Sequence, residues 1–317
     1  MKTRRSRDSN KASGRLVIIG GAEDKEGECR ILKEFVRLSG GEKARVVVIA
    51  VASDNPSTLG ARYTEVFRRL GASEARYLDI SSRQDANDPA ALEAIKGATG
   101  VFFTGGTQLR ITRLLGGTEI DTALHKLHEE GLVLAGTSAG AAMMSSVMIV
   151  GGLSSSPLRV GIVELGPGME FVSGVLIDQH FEQRGRLRRL LSAVAQYPRD
   201  LGVGIDEDTA IVTSGHWFEV IGEGSVTVID AGALTYTNLL GLNKNDMLAL
   251  CGVKIHILPA GYGFDLQNRL PLVKGEAWAG AEAASERKSV EGSARNPVRA
   301  RAPKKPRGAK KRAGSKR

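Results

Sequence analysis

Short apolar runs alternate with stretches of helical spacing along the first 140 residues. RLVIIGGAED (15–24) is a β-branched run that stops at Gly20-Gly21, which predicts a buried strand meeting a turn. In ECRILKEFVRLSGG (28–41), Ile31, Leu32, Phe35, Val36 and Leu38 fall on one helical stripe that Gly40-Gly41 ends. ARVVVIAVAS (44–53) reads as the next strand, residues 57–70 as a helix with Gly71 just past its end, and ARYLDI (75–80) as a further strand. DPAALEAIKGA opens a helix with Asp88 as N-cap and Pro89 in its first position. TGVFFTGGTQ (99–108) is a strand ending in Gly105-Gly106, one or two helices run on to Glu130, and LVLAGTSAG follows at 132–140. Near-continuous apolar strands alternating with helices predict an α/β fold: a mostly parallel central sheet with helices on both faces. Beyond residue 200 the helices stop. TAIVTSG, WFEVIGEG, SVTVIDAG and VKIHILPAG read as short strands joined by Gly-containing turns, a short antiparallel C-terminal extension of the same body.

Composition adds an uneven charge. The chain has 317 residues, 42% hydrophobic and 25% charged, with a net charge of +9. Residues 287–317 hold 13 Lys/Arg against one acid, Glu291, and residues 1–14 hold five against Asp8, so the body between them is mildly acidic. The expected organisation is a basic disordered tail at 1–14, one α/β unit over 15–279, and a basic disordered tail from 280 to 317. Such a tail either solubilises the chain or tethers it to a polyanion. Cys29 and Cys251 form neither a disulfide framework nor a metal-ligand spacing, so no metal or other cofactor is expected. No apolar run has the length of a membrane span or of a secretory signal, which predicts a cytoplasmic protein without a membrane partner.

The chemistry gathers at strand ends, where open α/β sheets bind their ligands. Gly136-Thr137-Ser138-Ala139-Gly140 matches the G-x-S-x-G nucleophile elbow in its strand–turn–helix setting, although a Gly/Ala packing turn has the same composition. A serine hydroxyl needs a base. Of five histidines, His125 and His128 sit on a helix and are expected at the surface, and His216 and His256 lie among the late strands. His180 follows the apolar strand GVLID (174–178) at a strand end, and is the best candidate base. Asp206, Glu207 and Asp208 sit between two apolar strands read as a hairpin, and one of them can orient the histidine. Gln183, Arg184, Arg186, Arg188 and Arg189 make a cationic segment suited to carboxylates. The TGGTQ loop offers glycine N–H groups for an oxyanion and the Gln108 amide.

Taken together, FFTGGTQ, GTSAGAAMMS, GPGMEFVSGVLIDQHFEQRGRLRRL and GVGIDEDTA resemble the cyanophycinases, serine peptidases with the class I glutamine-amidotransferase-like fold, over residues 15–265. The resemblance implies Ser138 as nucleophile, His180 as base and Glu207 as the orienting acid. It implies the N–H groups of Gly106 and Ala139 as oxyanion hole, and Gln108, Asp178, Gln179, Arg184, Arg186 and Arg189 as substrate pocket. It further implies a homodimer, and exolytic cleavage of cyanophycin, a poly-aspartate bearing arginine on each side chain, to β-aspartyl-arginine. Two positions depart from the family's pattern: Thr107 stands where many members carry an acid, and Arg188 where they carry glycine. A β- or α-aspartyl dipeptidase, and a non-catalytic protein tethered to a polyanion by its tails, are the alternative readings.

Overall fold

The computed structural model describes residues 14–154 and 157–273, so both predicted basic tails lie outside the described residues except for Gly14. The first half of the chain alternates as its pattern requires. Strands β1 (Leu16–Ile19), β2 (Arg45–Ile49), β3 (Glu74–Leu78), β4 (Gly100–Phe103) and β5 (Val133–Thr137) are interleaved with helices α1 (Arg30–Leu38), α2 (Pro56–Arg69), α3 (Pro89–Lys96), α4 (Gln108–Leu115) and α5 (Glu119–Glu129). The carboxylate of Asp88 accepts the Ala90 N–H at 2.6 Å and Pro89 opens α3, as its capping sequence dictates. A one-turn helix α6 (Ala139–Ala142) follows β5, and then come β6 (Val147–Gly152), β7 (Val163–Pro167), β8 (Val175–Gln179), α7 (Leu187–Gln196) and β9 (Leu201–Ile205). The chain continues through β10 (Thr209–Ser214), β11 (Trp217–Gly222), β12 (Ser225–Asp230), β13 (Tyr236–Thr237), β14 (Leu250–Cys251), β15 (Lys254–Pro259), β16 (Gly263–Asp265) and β17 (Leu270–Leu272).

The central sheet has nine strands in the order β17-β16-β11-β10-β1-β5-β4-β2-β3. The five from β1 to β3 are parallel, and β10, β11, β16 and β17 extend them antiparallel. Side chains alternate between its faces with the two-residue period of a strand. Val17, Ile19, Val46, Val48 and Phe102 meet α1 and α2, where Phe35, Tyr63, Phe67 and Phe102 form an aromatic cluster with ring centroids 4.7–6.1 Å apart. Leu16, Ile18, Val47, Ile49, Val101 and Phe103 meet α3, α4, α5 and α6 on the opposite face. Helices therefore cover both faces, which is why these strands read as unbroken apolar runs.

The extension divides in a way periodicity did not anticipate. Strands β12 and β15 leave the central sheet and join β9 and β8 in a second, four-stranded sheet, ordered β15-β12-β9-β8. One face of that sheet, with Val175, Ile177, Val203, Ile205, Val226 and Val228, shares the core of the central sheet. Its other face is closed by Leu190, Ala193 and Val194 of α7. The acidic turn 206–208 is accordingly no hairpin. Strand β9 pairs with β8 and β12 while β10 pairs with β1 and β11, so the turn carries the chain from one sheet to the other. Among the described residues no helix is long and apolar enough to cross a membrane.

Candidate active site

Ser138 stands between β5 and α6 with φ 53° and ψ −110°, a conformation outside the regions an L-residue ordinarily occupies. The crowding of the turn explains the flanking glycines. A Cβ on Gly136 would lie 2.1 Å from the Gly140 carbonyl oxygen, and one on Gly140 would lie 2.4 Å from that of Phe103. The backbone N–H of Ser138 donates to the Ile19 carbonyl at 3.0 Å, and the Ala141 and Ala142 N–H groups donate to the Ser138 carbonyl.

His180 arrives from the end of β8 and is tied to the same place through the backbone. Its N–H donates to the Gly20 carbonyl at 2.7 Å, and the Asp208 N–H donates to the Gly21 carbonyl at 2.9 Å. Main-chain hydrogen bonds thus bring the ends of β1, β5 and β8 and the crossover after β9 to one point. His180 Nε2 lies 3.0 Å from Ser138 Oγ, and its Nδ1 lies 2.5 Å from Glu207 Oε1. A carboxylate on Nδ1 selects the tautomer that carries its proton there and leaves Nε2 free to accept one. Burial pushes the His180 pKa below its ordinary value; Glu207 opposes the shift, and the Arg184 and Arg186 cations reinforce it. The imidazole is therefore neutral at neutral pH, the form a base requires.

The three acids of the crossover perform three different tasks. Asp206 is buried; its carboxylate accepts the Glu182 N–H at 3.1 Å and both the N–H and hydroxyl of Ser225, at 3.0 and 2.8 Å. Glu207 faces His180, and its own N–H donates to Gln183 Oε1 at 2.9 Å. Asp208 accepts the Asp24 N–H at 2.8 Å.

Gly105 and Gly106 follow β4, beside the elbow; a Cβ on Gly105 would lie 3.3 Å from the Ser138 Cβ. Ala139 opens α6, so its N–H belongs to the first turn, where helix amides have no partner within the helix. The Gln108 amide nitrogen donates to the Ile149 carbonyl of β6 at 2.7 Å, pinning that strand. Asp178, Gln179, Arg186 and Arg189 make a closed, buried network. Arg189 Nε donates to Asp178 Oδ2 at 2.9 Å, its Nη2 donates to Oδ1, and Arg186 Nη1 donates to Asp178 Oδ1 at 3.2 Å and to Gln179 Oε1 at 2.7 Å. Both oxygens of Asp178 are spent on these arginines, whereas Arg184 and Arg188 are exposed. Burial, with Arg189 and Arg184 close by, pulls Arg186 down to about 10 although Asp178 opposes it.

The histidines expected at the surface are partly covered. His128 is half-buried with Nδ1 2.9 Å from the Leu132 carbonyl, and His125 stacks on Phe171 at 4.5 Å. The residue that sequence reasoning passed over is Glu23, four residues beyond β1. Its carboxylate has no solvent exposure; it accepts the Tyr63 hydroxyl and, at 2.5 Å, the hydroxyl of Thr137, the neighbour of Ser138. Lys25 Nζ caps it at 3.1 Å. Burial and the adjacent Glu23 carboxylate push the Tyr63 pKa well up, which keeps the phenol a donor. The one available signal was an acid two residues after the Gly20-Gly21 strand end, in the kind of segment where the other candidate residues also gather. Among the described residues no group of His, Cys, Asp and Glu could hold a metal ion.

The sequence pattern of peptidase family S51 matches residues 16–221. The chain is 39% identical over 259 residues to cyanophycinases of Trichormus variabilis and Geminocystis herdmanii, covering 81% of this chain and 87% and 95% of those proteins. It is 39% identical over 257 residues to the cyanophycinase of Thermosynechococcus vestitus, covering 80% of each. Among solved structures, a peptidase from an acI-B1 Actinobacterium superposes with a TM-score of 0.60 over 80% of this chain and 97% of its own, at 21% identity, a likeness of fold.

Proposed function

The chain belongs to peptidase family S51, and on that premise we propose that it is a cyanophycinase, a serine exopeptidase that cuts cyanophycin into β-aspartyl-arginine dipeptides. The observation that carries the reading is the pair of contacts from Ser138 Oγ through His180 to Glu207. In the proposed reaction His180 Nε2 takes the Ser138 proton as Oγ attacks the scissile carbonyl carbon. The developing oxyanion is received by the N–H groups of Gly106 and Ala139. Glu207 stabilises the imidazolium, which gives its proton to the departing amine and leaves an acyl-enzyme on Ser138. Water, deprotonated by the same histidine, then releases the acyl group. The Arg186–Asp178–Arg189 network and Arg184 supply a cationic surround for the carboxylates of an aspartyl-arginine unit.

Incubation with purified cyanophycin and detection of β-aspartyl-arginine tests the activity. Ser138→Ala is expected to abolish release with an unchanged melting temperature. Cleavage of small β- or α-aspartyl dipeptides without attack on the polymer would overturn the substrate. From the sequence we also propose a homodimer working in the cytoplasm, with 15–279 as one catalytic unit. Its basic tails are proposed to touch an anionic surface, which unchanged granule binding after removal of residues 281–317 would refute.

A further inference from the structure

Three consecutive carbonyls at the end of β1 hold the three segments of the site. That of Ile19 accepts the Ser138 N–H at 3.0 Å, that of Gly20 accepts the His180 N–H at 2.7 Å, and that of Gly21 accepts the N–H of Asp208, the neighbour of Glu207, at 2.9 Å. The placing of Ser138, His180 and Glu207 relative to one another therefore depends on where residues 19–21 lie. This strip leaves the sheet along an uncommon path: Gly21 has φ 105°, and Ala22 has φ 50°, a region that residues with a Cβ seldom adopt. Such a conformation persists only where its surroundings hold it. Glu23 is the next side chain. Its carboxylate has no solvent exposure; Oε1 accepts the Tyr63 hydroxyl from α2, and Oε2 accepts the Thr137 hydroxyl from the end of β5 at 2.5 Å. Lys25 Nζ lies 3.1 Å from Oε1 and donates to the Glu23 carbonyl at 2.9 Å.

Stability alone does not call for a carboxylate here, because apolar residues of similar volume often replace a buried ion pair without loss. What the carboxylate supplies is direction. Its two oxygens fix the strip to two elements at once: to β5, one residue before the nucleophile, and to α2. Resting on the reaction proposed above, we infer that Glu23 is a positioning residue, which anchors the 19–21 strip to β5 and so sets the His180 and Glu207 segments against Ser138. Its carboxylate bonds to Tyr63, Thr137 and Lys25 and to none of the three catalytic side chains, so no proton passes through it. Tyr63 extends the anchor to the aromatic cluster under α1 and α2, where it is buried from any substrate.

The test removes the donors to Glu23 while leaving its charge in place. Tyr63→Phe deletes one hydroxyl and keeps the packed ring; it should lower kcat about tenfold with KM unchanged, less than the roughly hundredfold that a misplacement of about 1 Å costs. Phe67→Leu disturbs the same aromatic cluster but removes no donor, so it should lower Tm and leave kcat as it was. Thr137→Val should lower kcat as Tyr63→Phe does, and Thr137→Ser, which keeps the hydroxyl, should restore it. A kcat within about twofold of the wild type in either Tyr63→Phe or Thr137→Val, or an equal loss in Phe67→Leu, overturns the anchor and leaves the activity standing. The rate at which a fluorophosphonate labels Ser138 reads the same alignment without cyanophycin. A wild type that is labelled but does not cut cyanophycin overturns the substrate alone, and the labelling rates of the four variants then decide on Glu23 by the same pattern. A wild type that is neither labelled nor active overturns both.

Discussion

Gly21→Ala is the sharpest perturbation the geometry offers, because Gly21 touches the reaction only through His180. A Cβ at residue 21 would lie 2.3 Å from His180 Cε1, 2.5 Å from Nε2 and 3.0 Å from Nδ1, so the ring cannot stay where it is. The His180 backbone cannot follow, being held by the 2.7 Å bond to the Gly20 carbonyl. The side chain must therefore swing, drawing Nε2 away from Ser138 and Nδ1 away from Glu207. Two costs result. Gly21 has φ +105°, and alanine in such a conformation is strained by about 1–3 kcal/mol. For a domain of this size, at about 2–4 °C per kcal/mol, that strain lowers Tm by roughly 2–12 °C. Displacement of the base removes general acid–base catalysis, a loss of about 10²–10⁴-fold in kcat/KM. Gly71→Ala separates the two costs, since Gly71 has φ +94° with nothing within 4 Å of the added carbon. Melting curves and dipeptide release are measured on both variants. Similar falls in Tm with activity lost only in Gly21→Ala is the expected result. Activity in Gly21→Ala close to that of Gly71→Ala would refute the placement of His180 as base.

The proposed reaction requires neutral His180, so kcat/KM is expected to fall as pH drops through its pKa, and the acid limb should lie below the ordinary histidine range. Arg184 depresses that pKa, so Arg184→Gln should move the limb to higher pH in a pH–rate profile; a limb that stays or moves down contradicts the assignment. Asp178→Asn leaves Arg186 and Arg189 buried without their carboxylate and should cost about 3–5 kcal/mol in denaturant unfolding. Glu23→Gln loosens Thr137 beside the nucleophile and should lower kcat about 10–100-fold with KM little changed. A rise in KM alone would place Glu23 outside the alignment of Ser138.

The elements of the first half were legible because each is a local pattern. Strand β2 is apolar on both faces, α1 carries one stripe, and Asp88-Pro89 marks the start of α3. The elbow at Ser138 was legible for the same reason, since its glycines are needed within five consecutive residues. The resemblance of several long motifs then gave Glu207 its expected role, which spacing by itself left open among three adjacent acids.

The chain's own sequence determined the alternation of strands and helices, the strand ends where polar groups collect, and the chemical kinds of residue present there. Tertiary structure decided how those groups are shared out. It sent β9 and β10 to different sheets, turned Glu207 toward His180 and Asp206 toward Ser225, and buried Glu23 against Thr137. It also spent Asp178 on Arg186 and Arg189. Each of these outcomes depends on contacts between segments far apart along the chain. Strand and helix periodicity reports which face of an element is buried, whereas only the assembled sheets determine what lies opposite that face.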